Sequence, residues 1–246
     1  MQHKTVLITG GAKRIGAEIA KLLHADGMNI AIHYRSSSSA AQQLCGQLNQ
    51  LRNNSAIILA ADLLKTATLP DLISRCVAQW GSLDALVNNA STFYPTAVGE
   101  ITEAHWDDLM GSNLKAPLFL SQAAAPFLKQ SHGCIVNIVD VHGFRPMKNH
   151  TVYCVAKAGL AMLTQSLAKE LGPYIRVNGV APGAIMWPEN NLEQDEKLRQ
   201  MILERTALKR QGEPKDIATT VRFLICEAAY ITGQVIPVCG GRSLNI

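Results

Sequence analysis

The chain has 246 residues, of which 48% are hydrophobic and 17% are charged, and its formal net charge is +4. This balance is that of an ordinary globular protein with a sizeable core, and it excludes a disordered chain. The positive charges are spread along the chain without a basic block. That distribution argues against nucleic acid as a partner and leaves room for an anionic small ligand.

The six cysteines include no CxxC pair, and several lie within apolar runs. This pattern predicts reduced thiols in a cytoplasmic protein, with neither a disulfide framework nor a metal site. No apolar run reaches the length of a transmembrane helix, so no membrane association is expected. Because the first predicted strand begins almost at once, no signal peptide is expected either.

Short apolar runs rich in β-branched residues alternate with helical patterns along the chain. Strands are predicted at 4–9, 29–34, 56–61, 83–88, 134–139, 175–180 and 234–238. Helices are predicted at 13–26, 40–51, 69–80, 103–130 with an interruption near Pro117, around Tyr153, and at 216–227. This rhythm predicts an α/β fold in a single domain over 1–246. We expect a Rossmann-type doubly wound parallel sheet of about seven strands with helices on both faces.

The ligand site of such a sheet lies at the carboxyl ends of its strands. Gly10, Asp62, Asn88 and Asp140 all end or follow predicted strands, so we expect the site beside them. The polar stretch at about 184–210 is predicted to be a flexible substrate loop.

Residues 9–16 read TGGAKRIG between the first predicted strand and helix. Glycines let the backbone approach a phosphate closely, and the helix N-terminus favours its negative charge. The spacing is similar to TGxxxGxG, with Arg14 in place of the middle glycine. The turn therefore predicts a dinucleotide site at Gly10, Lys13, Arg14, Ile15 and Gly16; a generic strand–helix turn is the alternative.

The second predicted strand runs into four further candidate cofactor residues, Tyr34, Arg35, Ser36 and Ser37. NAD-selective sites usually have a carboxylate at this position. Here no carboxylate repels a 2′-phosphate, and a guanidinium and two hydroxyls can bind one. The segment predicts NADP(H) as the cofactor; the alternative is that Arg35 is a solvated loop arginine.

Tyr153 lies four residues before Lys157, which places both on one face of a helix about a turn apart. A free phenol has a pKa of about 10, and a nearby ammonium lowers that pKa. The pair is predicted to deliver a proton near neutral pH. The alternative is a helix surface pair without a chemical role.

Taken together, these motifs make the chain resemble the short-chain dehydrogenase/reductases over nearly its whole length. The matching residues are the glycine turn, Asp62-Leu63, Asn88-Asn89-Ala90, Asn113, Tyr153-x-x-x-Lys157 and the RVNGVAPG run at 176–183. Within that family the chain is most similar to pteridine reductases and bacterial dihydromonapterin reductases. Three details carry the closer resemblance: the KRIG ending of the turn, the NNASTFYPT run at 88–96, and Asp140 where most of the family has serine.

The resemblance implies a homotetramer in which the nicotinamide delivers a hydride. It adds to the predicted cofactor residues Asp62, Leu63, Asn89, Ala90, Ser91, Tyr153, Lys157, Pro182 and Gly183. It implies catalytic roles for Asp140, Tyr153, Lys157 and Asn113, the last of which would hold a water in a proton relay. The implied substrate residues are Arg14, Ser91, Phe93, Asp140 and Tyr153. Phe93 would stack on the pterin; a place in the core is its alternative.

Asp140 favours one chemistry over another. An ionised carboxylate only accepts hydrogen bonds, so it would repel the alkoxide that forms during ketone reduction. Reduction of a pterin C=N bond instead needs a proton on nitrogen, which Asp140 and Tyr153 could share. We therefore predict NADPH-dependent reduction of a dihydrobiopterin, dihydromonapterin or dihydrofolate. A helix or loop cap is the alternative role for Asp140.

Two rival functions stay open from the sequence. One is a 3-oxoacyl or other ketone reductase of the same family, and the other is a non-catalytic NADP(H)-binding sensor. His150 stands where some pteridine reductases have a phenol, and residues 184–188 lack a threonine that many relatives carry. The preference for the substrate's side chain is therefore open as well.

Overall fold

The computed structural model describes residues 3–185 and 199–245. Its strands are β1 (Thr5–Ile8), β2 (Asn29–Tyr34), β3 (Ala56–Ala60), β4 (Ala85–Asn88), β5 (Cys134–Ile138), β6 (Arg176–Pro182) and β7 (Val235–Val238). Within the described residues they form one sheet in the order β3-β2-β1-β4-β5-β6-β7, and every pair is parallel. The strand order reverses at the gap between β1 and β4, which is where open parallel sheets bind their ligands.

The helices are α1 (Arg14–Ala25), α2 (Ser38–Leu51), α3 (Leu69–Trp80), α4 (Glu103–Met110), α5 (Ala116–Gln130), α6 (Thr151–Leu171) and α7 (Pro214–Cys226). Residues 199–204 are also helical. In the described part of the chain, no helix is both long enough and apolar enough to cross a bilayer.

The core lies in two layers, one on each face of the sheet. Side chains of β1 alternate between them: Val6 and Ile8 pack with α1, α2 and α7, whereas Leu7 packs with α3 and α5. All three side chains are fully buried, as a central parallel strand covered on both faces requires. The predicted α/β class, the seven parallel strands and the helices on both faces are confirmed. The predicted element bounds agree with the structure to within two residues.

The long helix predicted at 103–130 is interrupted slightly earlier than expected. A π-helical turn at Gly111–Lys115 separates α4 from α5, and Pro117 lies in the first turn of α5. Proline is tolerated there because the first N–H groups of a helix have no partner within it. The wider turn brings Asn113 inward, where it is 1% exposed.

The flexible loop predicted at about 184–210 includes residues 186–198, which lie outside the described residues. Its described remainder includes the helical residues 199–204.

Candidate active site

The carboxyl ends of the strands open onto one cleft, made of two adjoining cavities. All but one of the predicted site residues line it: Gly10, Lys13, Arg14, Ile15, Gly16, Tyr34, Arg35, Ser36, Ser37, Asp62, Leu63, Asn89, Ala90, Ser91, Phe93, Asp140, Tyr153, Lys157, Pro182 and Gly183. The exception is Asn113, which lies behind Ser91 and is hydrogen-bonded to it. Residues predicted from separate stretches therefore face a shared space.

The turn between β1 and α1 has room only for glycine at three positions, one of which is Gly11, where a Cβ would lie 2.9 Å from the carbonyl oxygen of Ile8. Gly10 has a φ of +59°, and a Cβ there would lie 3.0 Å from the Cα of Ala90. A Cβ on Gly16 would collide with the carbonyl oxygen of Gly10. A ligand can therefore approach the backbone at the start of α1, where the helix dipole favours a phosphate.

Arg14, which replaces the middle glycine of the motif, adopts a left-handed conformation with a φ of +52°. A residue with a Cβ loses about 1–2 kcal/mol in this conformation, which is why glycine is the usual choice. The substitution brings a permanent positive charge to the wall of the cleft. The strained position is consistent with a functional role for this side chain.

Hydrogen bonds between Asn89, which follows the neighbouring strand β4, and Thr9, which follows β1, hold the shape of the turn. The Asn89 side chain donates to the carbonyl oxygens of Thr9 and Gly10, at 2.9 and 3.0 Å. The Thr9 hydroxyl accepts from the amides of Asn89 and Ala90, at 2.9 and 3.0 Å. These four bonds fix the segment after β4 against the turn after β1, across the point where the strand order reverses.

His33 is a site residue that the sequence analysis did not identify. It is buried at the end of β2, where its Nδ1 accepts the Gly10 amide at 3.1 Å and its Nε2 lies 3.2 Å from the carbonyl oxygen of Ala61. A carbonyl only accepts, so the proton is on Nε2 and the ring is neutral. Burial lowers the pKa of His33 to about 4. A histidine in the otherwise apolar run NIAIHY was the signal that could have revealed it.

The cavity beyond β2 is lined by two cations, Lys13 and Arg35, and by the hydroxyls of Ser36 and Ser37. Among the described residues that line this cavity, Asp62 is the one carboxylate. Its Oδ1 accepts the amide of Leu64 at 3.1 Å. The charge and the donors of this cavity suit a phosphate group.

Asp140 binds Tyr153, the predicted acid of the site, and also caps a short helical turn. Its Oδ2 accepts the phenolic hydroxyl of Tyr153 at 2.8 Å, and its Oδ1 accepts the amide of His142 at 2.8 Å. Asp140 therefore has both roles: it caps the turn that follows it, which was the alternative role, and it also accepts the hydrogen bond from Tyr153. The two bonds hold both carboxylate oxygens in fixed positions.

The prediction that Lys157 lowers the pKa of Tyr153 is wrong for this arrangement. Burial, followed by the charge and the hydrogen bond of Asp140, raises the pKa of Tyr153 well above its usual value. Lys157 directs its Nζ to the carbonyl oxygen of Ile138, at 2.9 Å. Burial lowers the pKa of Lys157 to about 8, an effect that Asp140 opposes. Burial and the Asp140 carboxylate, and not the Lys157 ammonium, therefore set the direction of the pKa shift of Tyr153.

Asn113 uses its side chain to position the segment after β4. Its Nδ2 donates to the carbonyl oxygens of Thr92 and Leu109, at 3.0 and 2.9 Å, and its Oδ1 accepts from the Ser91 hydroxyl at 2.6 Å. Ser91 in turn lies beside the phenol of Tyr153, where its hydrogen bonding opposes the larger pKa-raising effects of burial and Asp140. Asn113 thus reaches the acid through Ser91; the relay water stays a prediction.

Phe93 lies in the cleft and is 52% exposed, so the alternative that placed it in the core is wrong. Its ring is stacked on that of His150, with centroids 4.7 Å apart and planes inclined by 14°. The ring of Tyr153 meets it edge-on, at 4.9 Å and 80°. An exposed aromatic ring held in a fixed plane beside the acid can support a flat ligand.

The comparisons with known proteins agree with this arrangement. Residues 10–243 match the family model described as enoyl-(acyl carrier protein) reductase. The chain is 37% identical to "Pteridine reductase 1" of Leishmania tarentolae, over 97% of the chain and 96% of that protein. It is 36% identical to the 3-oxoacyl-(acyl-carrier-protein) reductase FabG of Staphylococcus epidermidis, over 97% and 98%. It is also 34% identical to the 7alpha-hydroxysteroid dehydrogenase of Bacteroides fragilis, over 99% and 96%. The chain therefore belongs to the short-chain dehydrogenase/reductase family and is an oxidoreductase.

Proposed function

We propose that this protein is an NADPH-dependent reductase that acts on a ring C=N bond of a dihydrobiopterin, dihydromonapterin or dihydrofolate. The observation that carries the proposal is the hydrogen bond from Tyr153 to Asp140, a carboxylate where most of the family has serine. Similarity to a pteridine reductase supports it. The two residues define a site that can protonate nitrogen and that is poorly suited to hold an alkoxide.

The cofactor half of the proposal rests on the fit of the cleft to a phosphorylated dinucleotide. Gly10 and Gly16 leave the start of α1 accessible to a pyrophosphate, and Arg35 with two serines lines the cavity where a 2′-phosphate would lie. Lys157 donates one N–H to the carbonyl oxygen of Ile138, and we assign its other N–H donors to the ribose hydroxyls. NADPH, when bound, supplies the hydride.

The proton comes from the protein. When the ring carbon accepts the hydride, the ring nitrogen gains an electron pair and needs a proton. Because burial, together with the charge and hydrogen bond of Asp140, raises the pKa of Tyr153, the phenol keeps its proton through the neutral range and has one to give. Asp140 and Ser91 orient that hydroxyl, and we assign Phe93 to the stacking surface for the flat substrate ring. Solvent then reprotonates the phenol.

Reduction of a 3-oxoacyl thioester is the second candidate, and similarity to the FabG reductase favours it. The geometry of Asp140 counts against this candidate. A ketone reductase stabilises a developing alkoxide with hydroxyl donors, whereas an ionised carboxylate offers no donor and repels the charge. The Ser91 hydroxyl donates to Asn113, so Tyr153 would be left to oppose that repulsion, and we expect weak activity on ketones.

A sensor that binds NADP(H) without turnover is the third candidate. A binding protein has no use for an acid held against a carboxylate, nor for a lysine whose burial lowers its pKa to about 8. Perturbed groups gathered in a cleft are typical of catalysis. This arrangement supports an enzyme over a sensor.

The proposal is tested by following NADPH oxidation with dihydrobiopterin, dihydromonapterin, dihydrofolate and acetoacetyl thioester side by side. We expect one or more of the dihydropterins to be reduced with a kcat/KM at least about tenfold above that for the thioester, a difference of about 1.4 kcal/mol in transition-state binding. Tyr153→Phe is the control for turnover at this site. Reduction of the thioester alone would identify a ketone reductase, and turnover of none of the four would favour the sensor.

We propose in addition that the protein assembles as a homotetramer through the outer faces of α5 and α6. These helices expose Leu118, Val155 and Met162, and Val155 and Met162 lie two turns apart on one face of α6. Apolar side chains that share a face suit contact with another copy. Light scattering coupled to gel filtration measures the mass directly. Val155→Glu with Met162→Glu should lower it, and a wild type that elutes as a monomer would contradict the proposal.

A further inference from the structure

We infer that His150 is a positioning residue for the substrate, because its ring sets the plane of the Phe93 ring on which a flat heteroaromatic substrate stacks. The two rings are 4.7 Å apart and inclined by 14°. Phe93 is half-exposed, so a face-to-face neighbour limits how its side chain can turn. The inference rests on the proposed function, since it concerns how the substrate of that reaction is bound.

The backbone around the two rings is also joined. The amide of Thr96 donates to the carbonyl oxygen of Asn149 at 2.5 Å, and Thr96 forms an isolated parallel bridge with His150. Thr96 is 2% exposed, so this junction is shielded from water. The loop that carries Phe93 and the loop that carries His150 therefore form one unit, and Phe93 is the ring of the stacked pair that lines the cleft.

The His150 ring has its own support. Its Nδ1 lies 2.9 Å from the carbonyl oxygen of Lys148, which fixes the proton on Nδ1 and holds the ring in place. The carbonyl oxygen of His150 accepts the amide of Cys154 at 2.9 Å, within the first turn of α6. Replacing the side chain leaves that backbone bond intact. A substitution at 150 should therefore change the orientation of the Phe93 ring and leave the position of Tyr153 in the first turn of α6 unchanged.

The expected effect is on substrate binding. Loss of an aromatic pair of this kind weakens the affected interaction by roughly 3- to 10-fold. His150→Ala should raise the KM for dihydrobiopterin by that factor, while kcat and the Kd for NADPH change by less than about twofold. His150→Phe, which retains a flat ring, should restore the KM. A purely structural role would lower the melting temperature and would affect NADPH binding as well.

The control is His132→Ala. His132 is a second histidine beside an aromatic ring, 6.1 Å from Tyr174, in the turn before β5 and outside the cleft. The His132→Ala variant should leave the KM for dihydrobiopterin unchanged. The coupling between the two stacked residues is measured by a double-mutant cycle with Phe93→Leu. Once Phe93 is leucine, removing the His150 ring should have little further effect on KM.

The outcomes separate this inference from the proposed function. A wild type that reduces dihydrobiopterin, with an unchanged KM in His150→Ala or with additive effects in the cycle, would overturn the inference and leave the function standing. A wild type that reduces no dihydropterin would overturn both. A raised KM in His150→Ala, restored by phenylalanine and absent after Phe93→Leu, is the result expected.

Discussion

The phenolic hydroxyl of Tyr153 donates a 2.8 Å hydrogen bond to the Oδ2 of Asp140. Because the other carboxylate oxygen is held by the amide of His142, Asp140 cannot easily turn away from the phenol. The bond joins β5, which leads into Asp140, to α6, which carries Tyr153. As a chemical consequence, the Tyr153 phenol stays protonated beside the Asp140 carboxylate, which cannot donate a hydrogen bond when it is ionised.

Removing the phenolic hydroxyl should abolish most turnover and spare cofactor binding. Tyr153→Phe is expected to lose about 10²-fold or more in kcat, the usual scale for general acid catalysis. The Kd for NADPH, measured by fluorescence titration, should stay close to that of the wild type. Tyr94→Phe is the matched control, because Tyr94 also donates to an aspartate, Asp108, at 3.1 Å but does not line the cleft. Turnover near the wild-type level in Tyr153→Phe would show that the proton has another source.

The charge of Arg35 should set the preference for NADPH over NADH. Arg35→Asp replaces a charge-assisted bond, worth about 1.5–3 kcal/mol, with repulsion of the 2′-phosphate. The kcat/KM for NADPH should fall roughly 10- to 100-fold while that for NADH changes little. Lys21→Asp, at an exposed position of α1 outside the cleft, controls for the change in net charge. An Arg35→Asp variant that keeps the wild-type preference would contradict this assignment.

The parts of the site that depend on local sequence could be predicted from it. The glycine turn and the Tyr153–Lys157 pair lie within single short stretches, and the alternation of strands and helices placed both at one edge of the sheet. The pairing of Asp140 with Tyr153 was implied by the family resemblance, and the structure has a hydrogen bond between the two side chains. Local patterns and the family resemblance together therefore account for most of the cleft.

The features that escaped prediction all depend on contacts between distant stretches. His33 contacts the turn 23 residues before it, and Asn113, although predicted as a site residue, makes an unpredicted hydrogen bond with Ser91, 22 residues before it. The sign of the pKa shift on Tyr153 was also missed, because burial cannot be read from the spacing of two residues. It is the packing of α6 against the sheet that buries the phenol and directs Lys157 to Ile138 instead.

His33 should make the free protein sensitive to acid. Its pKa is about 4 in the folded protein and 6.5 in an unfolded chain, so between those values the unfolded chain binds the extra proton. The contribution of neutral His33 to the free energy of unfolding is therefore fully present above pH 6.5. It is lost as the pH falls toward 4, which lowers the free energy of unfolding by up to about 3 kcal/mol. His33→Asn can still accept the Gly10 amide but has no such titration. Urea midpoints of the cofactor-free proteins from pH 7 to pH 4.5 should fall more steeply for the wild type. Parallel curves for the two proteins would contradict this explanation.

Asp140→Ser tests the central claim most directly, because it exchanges the carboxylate for the hydroxyl that ketone reductases use. The measurement is kcat/KM for dihydrobiopterin and for acetoacetyl thioester, in wild type and variant, with NADPH affinity as the control. We predict that the wild type prefers the dihydropterin and that Asp140→Ser loses about tenfold or more of that activity. Activity on the thioester should hold or rise, and NADPH affinity should not change. An unchanged dihydropterin activity in Asp140→Ser, or a wild type that reduces only the thioester, would contradict the claim.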